Sequence, residues 1–398
     1  MSAGPGLYLD ACATSPPAPA VLAALAEAHA SAWANPSSLH EQGLAAAESL
    51  ERSRQQIARL LGCRRGRVVF SSGGSESIHL ALLGTAAALP QDGSPRRLVI
   101  SAVEHPATQA AARRLQADGW SLAVVPVNRL GLLDLDALRH LLAPPTRLVS
   151  LIWGQSEVGT LQPITAIGDL CRAAGVPLHL DAVQVLGHQP IAFDALPVDL
   201  LSGAAHKLQG PRGIGVLLTA PGIPLSPLIG GGAQEGGLRG GTEPVALAAG
   251  FATALQLAAT RLAASGGRDP LAVQRDRLLN AVLALEGVAI SGPDPRRSPA
   301  QRLPHHLSLL VKGATGQPLP GRALVRQLAA LGLAASSGSA CSSSGSSASP
   351  VLLAMGHSKA EAASGLRLSL GPWLADDELE PVPALIEQAI RRLDRRDA

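Results

Sequence analysis

Aromatic side chains are scarce in this chain, because Phe, Tyr and Trp together make up 2% of its 398 residues. A core with so few rings has to be built from Ala, Leu and Val. The apolar share of 46% and the charged share of 16% are typical of a globular protein and exclude a disordered one. A chain of this length exceeds one small core and predicts two domains.

An excess of charge of one sign is also missing. The formal net charge is +3, and the longest basic stretches, residues 64–67 and 391–396, are short and interrupted. Such stretches are typical of a solvated surface rather than of a nucleic-acid interface. We therefore expect no direct contact with nucleic acid.

Cysteine is rare, and its four positions are far apart: Cys12, Cys63, Cys171 and Cys341. No CxxC pair occurs, which argues against a disulfide framework and against a cysteine-based zinc site. We expect no metal, a reducing cytoplasm as the location, and packing roles for the first three cysteines.

Targeting and membrane signals are absent from the pattern. Residues 1–10 have neither the basic nor the apolar region of a signal peptide. The most apolar long stretch, 245–264, contains Gln256, two threonines and Arg261, which predicts a buried helix rather than a membrane span.

What the chain does have is a regular alternation of short β-branched runs with Ala/Leu-rich helical stretches. The predicted strands cover 67–70, 98–101, 122–125, 147–152, 177–181, 198–201 and 214–218, and the predicted helices 75–88, 106–117, 134–142 and 164–174. This alternation predicts an α/β fold with a largely parallel sheet covered on both faces. Ligands of such sheets bind beyond the carboxyl ends of the strands.

A boundary is predicted at residues 265–270, where Gly, Ser and Pro cluster. A smaller α+β pattern follows, with helices at 271–285, 323–331 and 382–393, strands at 307–311 and 366–370, and a Ser/Gly-rich stretch at 336–349.

Lysine is rare, since Lys207, Lys312 and Lys359 stand against thirty arginines. Arginine cannot form a Schiff base, because its guanidinium is never a neutral nucleophile. Lys207 ends the segment 202–207, which directly follows a predicted strand and precedes the Gly-rich stretch 210–215, so its amine could attack a cofactor aldehyde at the sheet edge. Taken alone, an exposed surface lysine is the more common interpretation.

A carboxylate is predicted at the same edge. Asp181 ends the strand 177–181, where it could pair with the pyridine nitrogen of pyridoxal phosphate (PLP). An Asp that caps a turn is the competing interpretation. Asp181 and Lys207 together favour a PLP site.

Two further segments follow predicted strands. Residues 71–77, Ser-Ser-Gly-Gly-Ser-Glu-Ser, bridge a strand and a helix, so they can bind a phosphate, cap the helix, or do both. His105 could lie over a planar cofactor ring or transfer protons, although a lone histidine is more often structural.

The second half of the chain offers a thiol and a guanidinium. Cys341 lies in the Ser/Gly-rich stretch 336–345, whose composition predicts a mobile loop, and a thiol there is unusual because free cysteines are commonly buried. Arg367 lies on a short apolar strand, where it could bind a substrate carboxylate or simply face solvent.

In this order the motifs resemble the cysteine desulfurases, within class V of the PLP-dependent aminotransferase superfamily. The resemblance runs from Leu9 to about Leu393 and rests on residues 9–14, 35–38 with His40, 72–77, 104–105, 181–184, 206–207, 239–242 and 336–341. It implies PLP fold type I, with a mainly parallel seven-stranded sheet in a large domain (15–264). A smaller α+β domain (1–14 and 265–398) would carry the catalytic cysteine loop.

The resemblance also implies roles for individual residues. Lys207 would carry PLP covalently, Asp181 would pair with its ring nitrogen, Gln184 would contact its phenolic oxygen and His105 would stack on its ring. The remaining contacts implied are Gly74, Ser75, Ala204, His206 and, from the second subunit of a homodimer, Thr242 at the phosphate, and Asn35, Ser156 and Arg367 at the substrate, with Ser156 also near the cofactor.

The implied reaction converts L-cysteine to L-alanine and leaves a persulfide on Cys341. The length of the stretch from Cys341 to Pro350 matches the subgroup that hands sulfur to several acceptors, such as an iron–sulfur scaffold protein. The sequence leaves open which acceptor is used and whether selenocysteine is preferred.

Three segments depart from the family pattern. Gln155-Ser156-Glu157 stands where Asn-Asn-Glu is usual, Ala204-Ala205 where Ser-Gly is usual, and His79 where Asn is common. Each lost hydrogen bond removes about 0.5–1.5 kcal/mol, so we expect an active but less efficient enzyme.

Two alternatives remain at this stage. One is a related PLP enzyme, either a selenocysteine or cystine lyase or an aminotransferase, although an aminotransferase has no use for the Cys341 thiol. The other is a non-catalytic paralogue, suggested only by Ser156 and Ala204.

Overall fold

The β-branched runs of the first two-thirds of the chain form one seven-stranded sheet. The computed structural model describes residues 7–90, 92–338 and 348–397. Its strands are β1 (Leu7–Tyr8), β2 (Arg67–Ser71), β3 (Arg97–Ser101), β4 (Ser121–Val125), β5 (Thr146–Ile152), β6 (Leu178–Asp181), β7 (Leu200–Ala204), β8 (Gly215–Thr219), β9 (Val288–Ile290), β10 (His306–Val311), β11 (Leu333–Ala334) and β12 (Gly365–Ser369).

Helices surround these strands. They are α1 (Pro19–Ser31), α2 (Glu41–Leu60), α3 (Gly74–His79), α4 (Thr85–Ala88), α5 (Pro106–Ala117), α6 (Leu135–Leu141), α7 (Ile164–Ala173), α8 (Val245–Ala264), α9 (Leu271–Leu283), α10 (Gly321–Ala330), α11 (Pro350–Ala354), α12 (Lys359–Ala363) and α13 (Val382–Asp397).

The large sheet has the strand order β2-β8-β7-β6-β5-β3-β4. All neighbours are parallel except β8, which runs antiparallel to both β2 and β7. Every residue of β6, β7 and β8 is buried, as expected for strands covered by helices on both faces. The predicted α/β fold with a mainly parallel seven-stranded sheet is confirmed, and the parallel strands β3, β5, β6 and β7 end at one edge.

Helix α8 covers the large sheet together with α1 and α2. Within the described part of the chain, it is the one helix long and apolar enough to cross a membrane. It contacts α1 and α2 along its length, and Ala248 and Phe251 are fully buried. This packing is that of the core helix predicted from its polar residues.

A second core lies around the antiparallel sheet β12-β10-β9. Leucines of α9, α10 and α13 pack on this sheet, and Leu9 from the N-terminal segment joins them. Strand β1 pairs in parallel with β11. The first described residues therefore pack with the last third of the chain and pass the edge of the large sheet on the way.

Some elements differ from the sequence predictions. The predicted helix 75–88 is interrupted by a π-helical turn, Leu80–Gly84, where the carbonyl of Gly84 accepts a hydrogen bond from the N–H of Ser226 instead of continuing the α-helix. The predicted strand 198–201 lies at Leu200–Ala204, because β7 pairs with β8 as far as Ala204 and Gly215. This shift brings the end of β7 to within three residues of Lys207.

Candidate active site

Three predicted site residues meet at the carboxyl edge of the large sheet. Asp181 is the last residue of β6, Lys207 ends a 3₁₀ turn after β7, and His105 precedes α5 beyond β3. The three groups are close enough to influence one another electrostatically. Because parallel strands end at one edge, residues far apart in sequence form one cluster.

The Lys207 amine donates hydrogen bonds to two backbone carbonyls of the N-terminal segment. Nζ lies 2.6 Å from the Cys12 oxygen and 2.8 Å from the Ala13 oxygen. Gln184 donates from Nε2 to the same Cys12 oxygen at 3.0 Å. Residues 12 and 13 are therefore the immediate support of the lysine.

Burial shapes the protonation of this cluster. It raises the pKa of the Asp181 carboxyl, while the nearby His105 and Lys207 oppose that rise. Burial also lowers the pKa of His105, with Asp181 acting in the opposite direction. A cationic ring nitrogen placed against Asp181 would favour its ionised form, as an opposite charge does for any carboxylate.

Glu104 lies beneath the cluster. Its Oε1 accepts hydrogen bonds from the Ser101 hydroxyl and from the N–H of Ile152, so it ties the ends of β3 and β5 together. Burial raises the pKa of Glu104 to about 8, which makes it a neutral acid at pH 7. It therefore positions the His105 turn without adding a negative charge beside Asp181.

The turn between β2 and α3 brings the backbone of Gly74 close to Val183 and Ala204. A side chain at Gly74 would place its Cβ 2.7 Å from Val183 Cγ2, so only glycine fits there. The same point lies 3.7 Å from the Cβ of Ala204. The first N–H groups of a helix have no intrahelical partner and can bind phosphate. Ser75, at the second helical position, is exposed.

His206 supports the same region. Its Nδ1 lies 3.2 Å from the Thr14 hydroxyl, and its backbone carbonyl accepts hydrogen bonds from the backbone and hydroxyl of Ser15. Burial lowers the pKa of His206 to about 4, helped by the positive charge of Lys207. At neutral pH the ring is uncharged and can donate one hydrogen bond.

Arg367 reaches the site from β12. Its guanidinium bonds Asp10 Oδ1 at 2.7 Å and the backbone carbonyl of Ser156 at 3.1 Å. The side chain is 4% exposed, and its Nε has no hydrogen-bond partner among the described residues. Both terminal nitrogens of the guanidinium therefore have hydrogen-bond partners in this structure.

The predicted nucleophile, Cys341, lies outside the described residues. The described chain on its N-terminal side pairs Ser336 with Arg367 through two backbone hydrogen bonds. On the C-terminal side, the Ser349 hydroxyl donates to Glu157 Oε2 at 2.6 Å. Both anchors lie beside the Arg367 guanidinium, because Glu157 also interacts with it electrostatically.

Thr242 and the Gly-rich segment 230–241 form a second cluster. The many glycines of this segment favour flexibility, but in the structure one carboxylate fixes it to the rest of the chain. Glu235, at φ 51°, turns inward and accepts hydrogen bonds from Arg54 at 2.6 and 2.9 Å and from the N–H of Phe70 at 2.8 Å. Thr242 is exposed and lines a cavity of 150 Å³ beside Ser72 of the same chain.

The Gly-rich segment is also bonded to the turn between β2 and α3, residues 72–76. Glu76 accepts hydrogen bonds from Arg239 Nε at 3.1 Å and from the N–H of Ser72 at 2.7 Å. Burial works against ionisation of Glu76, but these hydrogen bonds and the positive charge of Arg239 lower its pKa.

The predicted site residues are thus not all in one place. The structure brings together Lys207, Asp181, His105, Gln184, His206, Gly74, Ala204 and Arg367 with the backbone of Ser156. Asn35 is exposed between α1 and α2, where its amide oxygen accepts a hydrogen bond from the Ser37 N–H. The roles assigned to all of these residues, Asn35, Ser75 and Thr242 included, remain predictions.

Sequence reasoning missed several contributors. Cys12 is buried, as predicted for a packing residue, but its carbonyl also holds Lys207. Asp10 and Glu104 were quoted only as parts of motifs, and both orient site residues. Their position beside motif residues was the only available signal.

The residues present fit PLP. The cluster supplies an amine for its aldehyde, a buried carboxylate for its ring nitrogen and a histidine close to both. Gly74, where a Cβ would clash with Val183, begins α3, and the first N–H groups of a helix can bind a phosphate. These are the binding groups that PLP chemistry requires.

Comparisons with known proteins agree with this arrangement. The sequence profile of the class-V aminotransferases matches residues 7–382. A cysteine desulfurase IscS of Methanosarcina thermophila is 33% identical over 387 residues, covering 97% of this chain and 92% of the relative. An IscS-like cysteine desulfurase of Mycobacterium tuberculosis is 36% identical over 394 residues, covering 98% and 97%.

The chain belongs to the cysteine desulfurase family of class-V aminotransferases. A solved NifS-like protein superimposes with a TM-score of 0.86 at 28% identity and covers 98% of this chain and 100% of its own. The structure of SspA in complex with cysteine gives a TM-score of 0.77 at 28% identity, covering 92% and 99%. The fold is therefore PLP fold type I, as the resemblance implied.

Glu235→Ala should loosen the Gly-rich segment, because it removes a 2%-exposed carboxylate that holds Arg54 and Phe70. Each 1.4 kcal/mol of lost local stability raises the open population about tenfold. We expect trypsin cleavage after Arg239 to accelerate by about that factor.

The matched control is Glu51→Ala, which removes only the exposed partner of the same arginine. It should leave cleavage at Arg239 nearly unchanged. Equal cleavage rates in the Glu235 and Glu51 variants would show that the buried pair does not hold the segment.

Proposed function

We propose that this protein is a PLP-dependent cysteine desulfurase that converts L-cysteine to L-alanine and transfers the sulfur as a persulfide. The observation that carries the proposal is the meeting of Lys207, Asp181 and His105 beside a carboxylate-binding arginine. The relatives named as cysteine desulfurases support this substrate over that of a general aminotransferase.

PLP, when bound, supplies an electron sink for the bond changes at the substrate carbons. Lys207 would hold the cofactor covalently, and its amine bonds the carbonyls of Cys12 and Ala13 when it is free. Asp181 would keep the pyridine nitrogen protonated, and His105 would stack on the ring. Gln184, anchored at the Cys12 carbonyl, would contact the phenolic oxygen.

Phosphate binding falls to the α3 start and to His206. Gly74 gives the backbone close access, Ser75 adds a hydroxyl, and the neutral His206 ring adds a donor. The methyl group of Ala204 stands where the family usually has a hydroxyl, so we expect one phosphate contact fewer. Ser156 likewise offers a hydroxyl in place of an amide.

Arg367 binds the substrate carboxylate through its fork. Asp10 and the Ser156 carbonyl hold its two terminal nitrogens, so the guanidinium is oriented before the substrate arrives, and the carboxylate would replace one of these partners. Charge-assisted hydrogen bonds of this kind are about twice as strong as neutral ones. We also assign Asn35 to substrate binding, on the resemblance alone.

Sulfur removal requires a thiolate, and Cys341 supplies it. Its sulfur attacks the substrate sulfur, an S–S bond forms and the substrate Cβ–S bond breaks. The electron pair left on carbon takes up a proton to give alanine, so the carbon is reduced as the sulfurs are oxidised. A segment of ten residues spans about 30 Å when extended, and both of its described ends lie near Arg367.

The proposed assembly is a homodimer in which Thr242 completes the phosphate site of the other subunit. Support comes from the resemblance and from large exposed apolar side chains between residues 22 and 44, with Trp33 70% and Leu39 90% exposed. We propose a large domain of residues 15–264, a small domain of 1–14 and 265–398, and a cytoplasmic location. The sulfur acceptor is proposed to be a protein such as an iron–sulfur scaffold.

Lys207→Ala should abolish covalent attachment of PLP, because the other two lysines lie elsewhere in the fold. Borohydride reduction of the wild-type protein followed by peptide mapping should find the pyridoxyl group on Lys207. Lys312→Ala, at an exposed position, is the control and should keep it. A pyridoxyl group on Lys312 or Lys359 would contradict the site.

Cys341→Ala should keep PLP and the binding of L-cysteine but lose alanine formation, since the thiolate is gone while the lysine cluster is intact. Mass spectrometry of the wild type after L-cysteine treatment should show one added sulfur on the Cys341 peptide. Cys63→Ala, which removes a buried thiol, should behave like the wild type. Full desulfurase activity of Cys341→Ala would favour a general PLP lyase that acts on cystine or selenocysteine.

The position of Thr242 beside Ser72 of its own chain makes the choice of subunit testable. Lys207→Ala and Thr242→Ala proteins, unfolded together and refolded as hybrids, should regain PLP binding and desulfurase activity above either parent. Only a Thr242 acting across the interface restores a complete site in the hybrid. No gain over the Thr242→Ala parent, or a monomer by light scattering, would place Thr242 in its own site.

A further inference from the structure

Four buried side chains form a continuous series of contacts that starts at Cys12, the residue whose carbonyl binds Lys207. The Cys12 sulfur lies 3.4 Å from His305 Nε2, and the His305 ring stacks on His188 with centroids 3.7 Å apart and planes 14° from parallel. His188 Nδ1 lies 2.8 Å from Asp269 Oδ2. All four residues are at most 4% exposed.

Asp269, the last of these four side chains, is held by several hydrogen bonds. Asp269 Oδ2 also accepts a hydrogen bond from Arg261 at 3.2 Å, and Oδ1 accepts one from the N–H of Leu271. Burial opposes its ionisation, but the contacts with His188 and Arg261 lower the pKa of Asp269. Arg261 in turn donates to the carbonyl of Gly187. The carboxylate is therefore held by a helix start, an arginine and a histidine together.

The Cys12 thiol and the His305 ring, which lie nearest to Lys207, are both uncharged. Burial raises the pKa of the Cys12 thiol, and burial with the adjacent His188 and His306 lowers the pKa of His305 well below its usual value. A neutral imidazole and a thiol share one hydrogen bond at the observed separation. No charge needs to be compensated beside the lysine, so the contact acts by orientation.

This network of side chains ends at Cys12, whose carbonyl accepts a hydrogen bond from Lys207. Cys12 is held at its backbone N–H by the Ser369 hydroxyl at 2.8 Å, at its sulfur by His305, and at its carbonyl by Lys207 and Gln184. Three different segments, which carry Ser369, His305 and Lys207, thus meet at one residue. We expect a change in the sulfur contact to turn the peptide plane that presents the Cys12 oxygen to Lys207.

We propose that Cys12, His305, His188 and Asp269 form a positioning network that aims the carbonyls of Cys12 and Ala13 at the Lys207 amine. This inference rests on the proposed function for the meaning of Lys207, but its geometry is independent of PLP. In the free protein the two carbonyls occupy protons of the amine. An ammonium group held in this way has no lone pair to offer a reagent or an aldehyde.

The test measures the amine directly in the full-length protein freed of PLP. Trace labelling with isotopically marked acetic anhydride, followed by cleavage at arginine and mass spectrometry, gives the reactivity of Lys207. Lys312 and Lys359 serve as references within the same molecule. In Cys12→Ala and in His305→Phe, which retains a stacking ring, Lys207 labelling should rise about two- to tenfold relative to the references, the effect of losing about one hydrogen bond.

Rescue separates positioning from simple packing. Cys12→Ser keeps a group that can share a hydrogen bond with His305 and should restore labelling to within about twofold of wild type. Cys171→Ala removes an equally buried thiol in α7 and should change nothing. Circular dichroism verifies folding, and if His305→Phe does not fold, the Cys12 variants alone decide.

The inference is overturned if folded Cys12→Ala labels like the wild type, or if Cys12→Ser labels like Cys12→Ala. Labelling requires neither PLP nor L-cysteine. A failure here is therefore distinct from a failure of the proposed function, which would show instead as an absence of PLP from Lys207 in the wild type.

Discussion

The two hydrogen bonds from Lys207 to the carbonyls of Cys12 and Ala13 connect most of the site. They bind the N-terminal segment to the edge of the large sheet. In the same segment, Asp10 forms an ion pair with Arg367, and the Cys12 N–H donates a hydrogen bond to the Ser369 hydroxyl. The same segment pairs β1 with β11 and places Leu9 in the second core. Lys207 thus lies where residues 7–14, the large parallel sheet and the small antiparallel sheet meet.

Most of the fold could be predicted because its signals are local. Runs of buried β-branched residues separated by Ala-rich helices predicted nearly every strand of the large sheet, and Pro106 marked the start of α5 to the residue. The π-helical turn at Leu80–Gly84 could not be predicted, since it depends on Ser226, more than a hundred residues away. The end of β7 was misplaced for a similar reason: its length is set by pairing with β8.

The site divides in the same way. Lys207, Asp181 and His105 were predictable because each follows a strand, and parallel strands end at one edge. The partners that orient them come from elsewhere: the Cys12 carbonyl, Asp10 against Arg367, and the inward-turned Glu235. Backbone carbonyls carry no residue signature, and Glu235 lies in a glycine-rich stretch whose composition predicts flexibility. Composition therefore describes what a segment prefers alone, not what a buried ion pair imposes on it.

Charge placement accounts for why the site contains so many neutral groups. Burial raises the pKa of Glu104 to about 8 and lowers that of His206 to about 4, so both are uncharged near neutral pH, and Lys207, Asp181 and Arg367 are the groups that we propose to meet PLP and substrate. Additional buried charges would each need a partner, and their fields would compete for the pyridine nitrogen, the phosphate and the carboxylate. His305 follows the same logic, because a neutral ring can hold Cys12 by hydrogen bonding and stacking without adding a charge beside Lys207 and Asp181. The site thus contains many polar contacts but few charges. The orientation of the Lys207 amine, rather than the net electrostatic field, distinguishes it from Lys312 and Lys359.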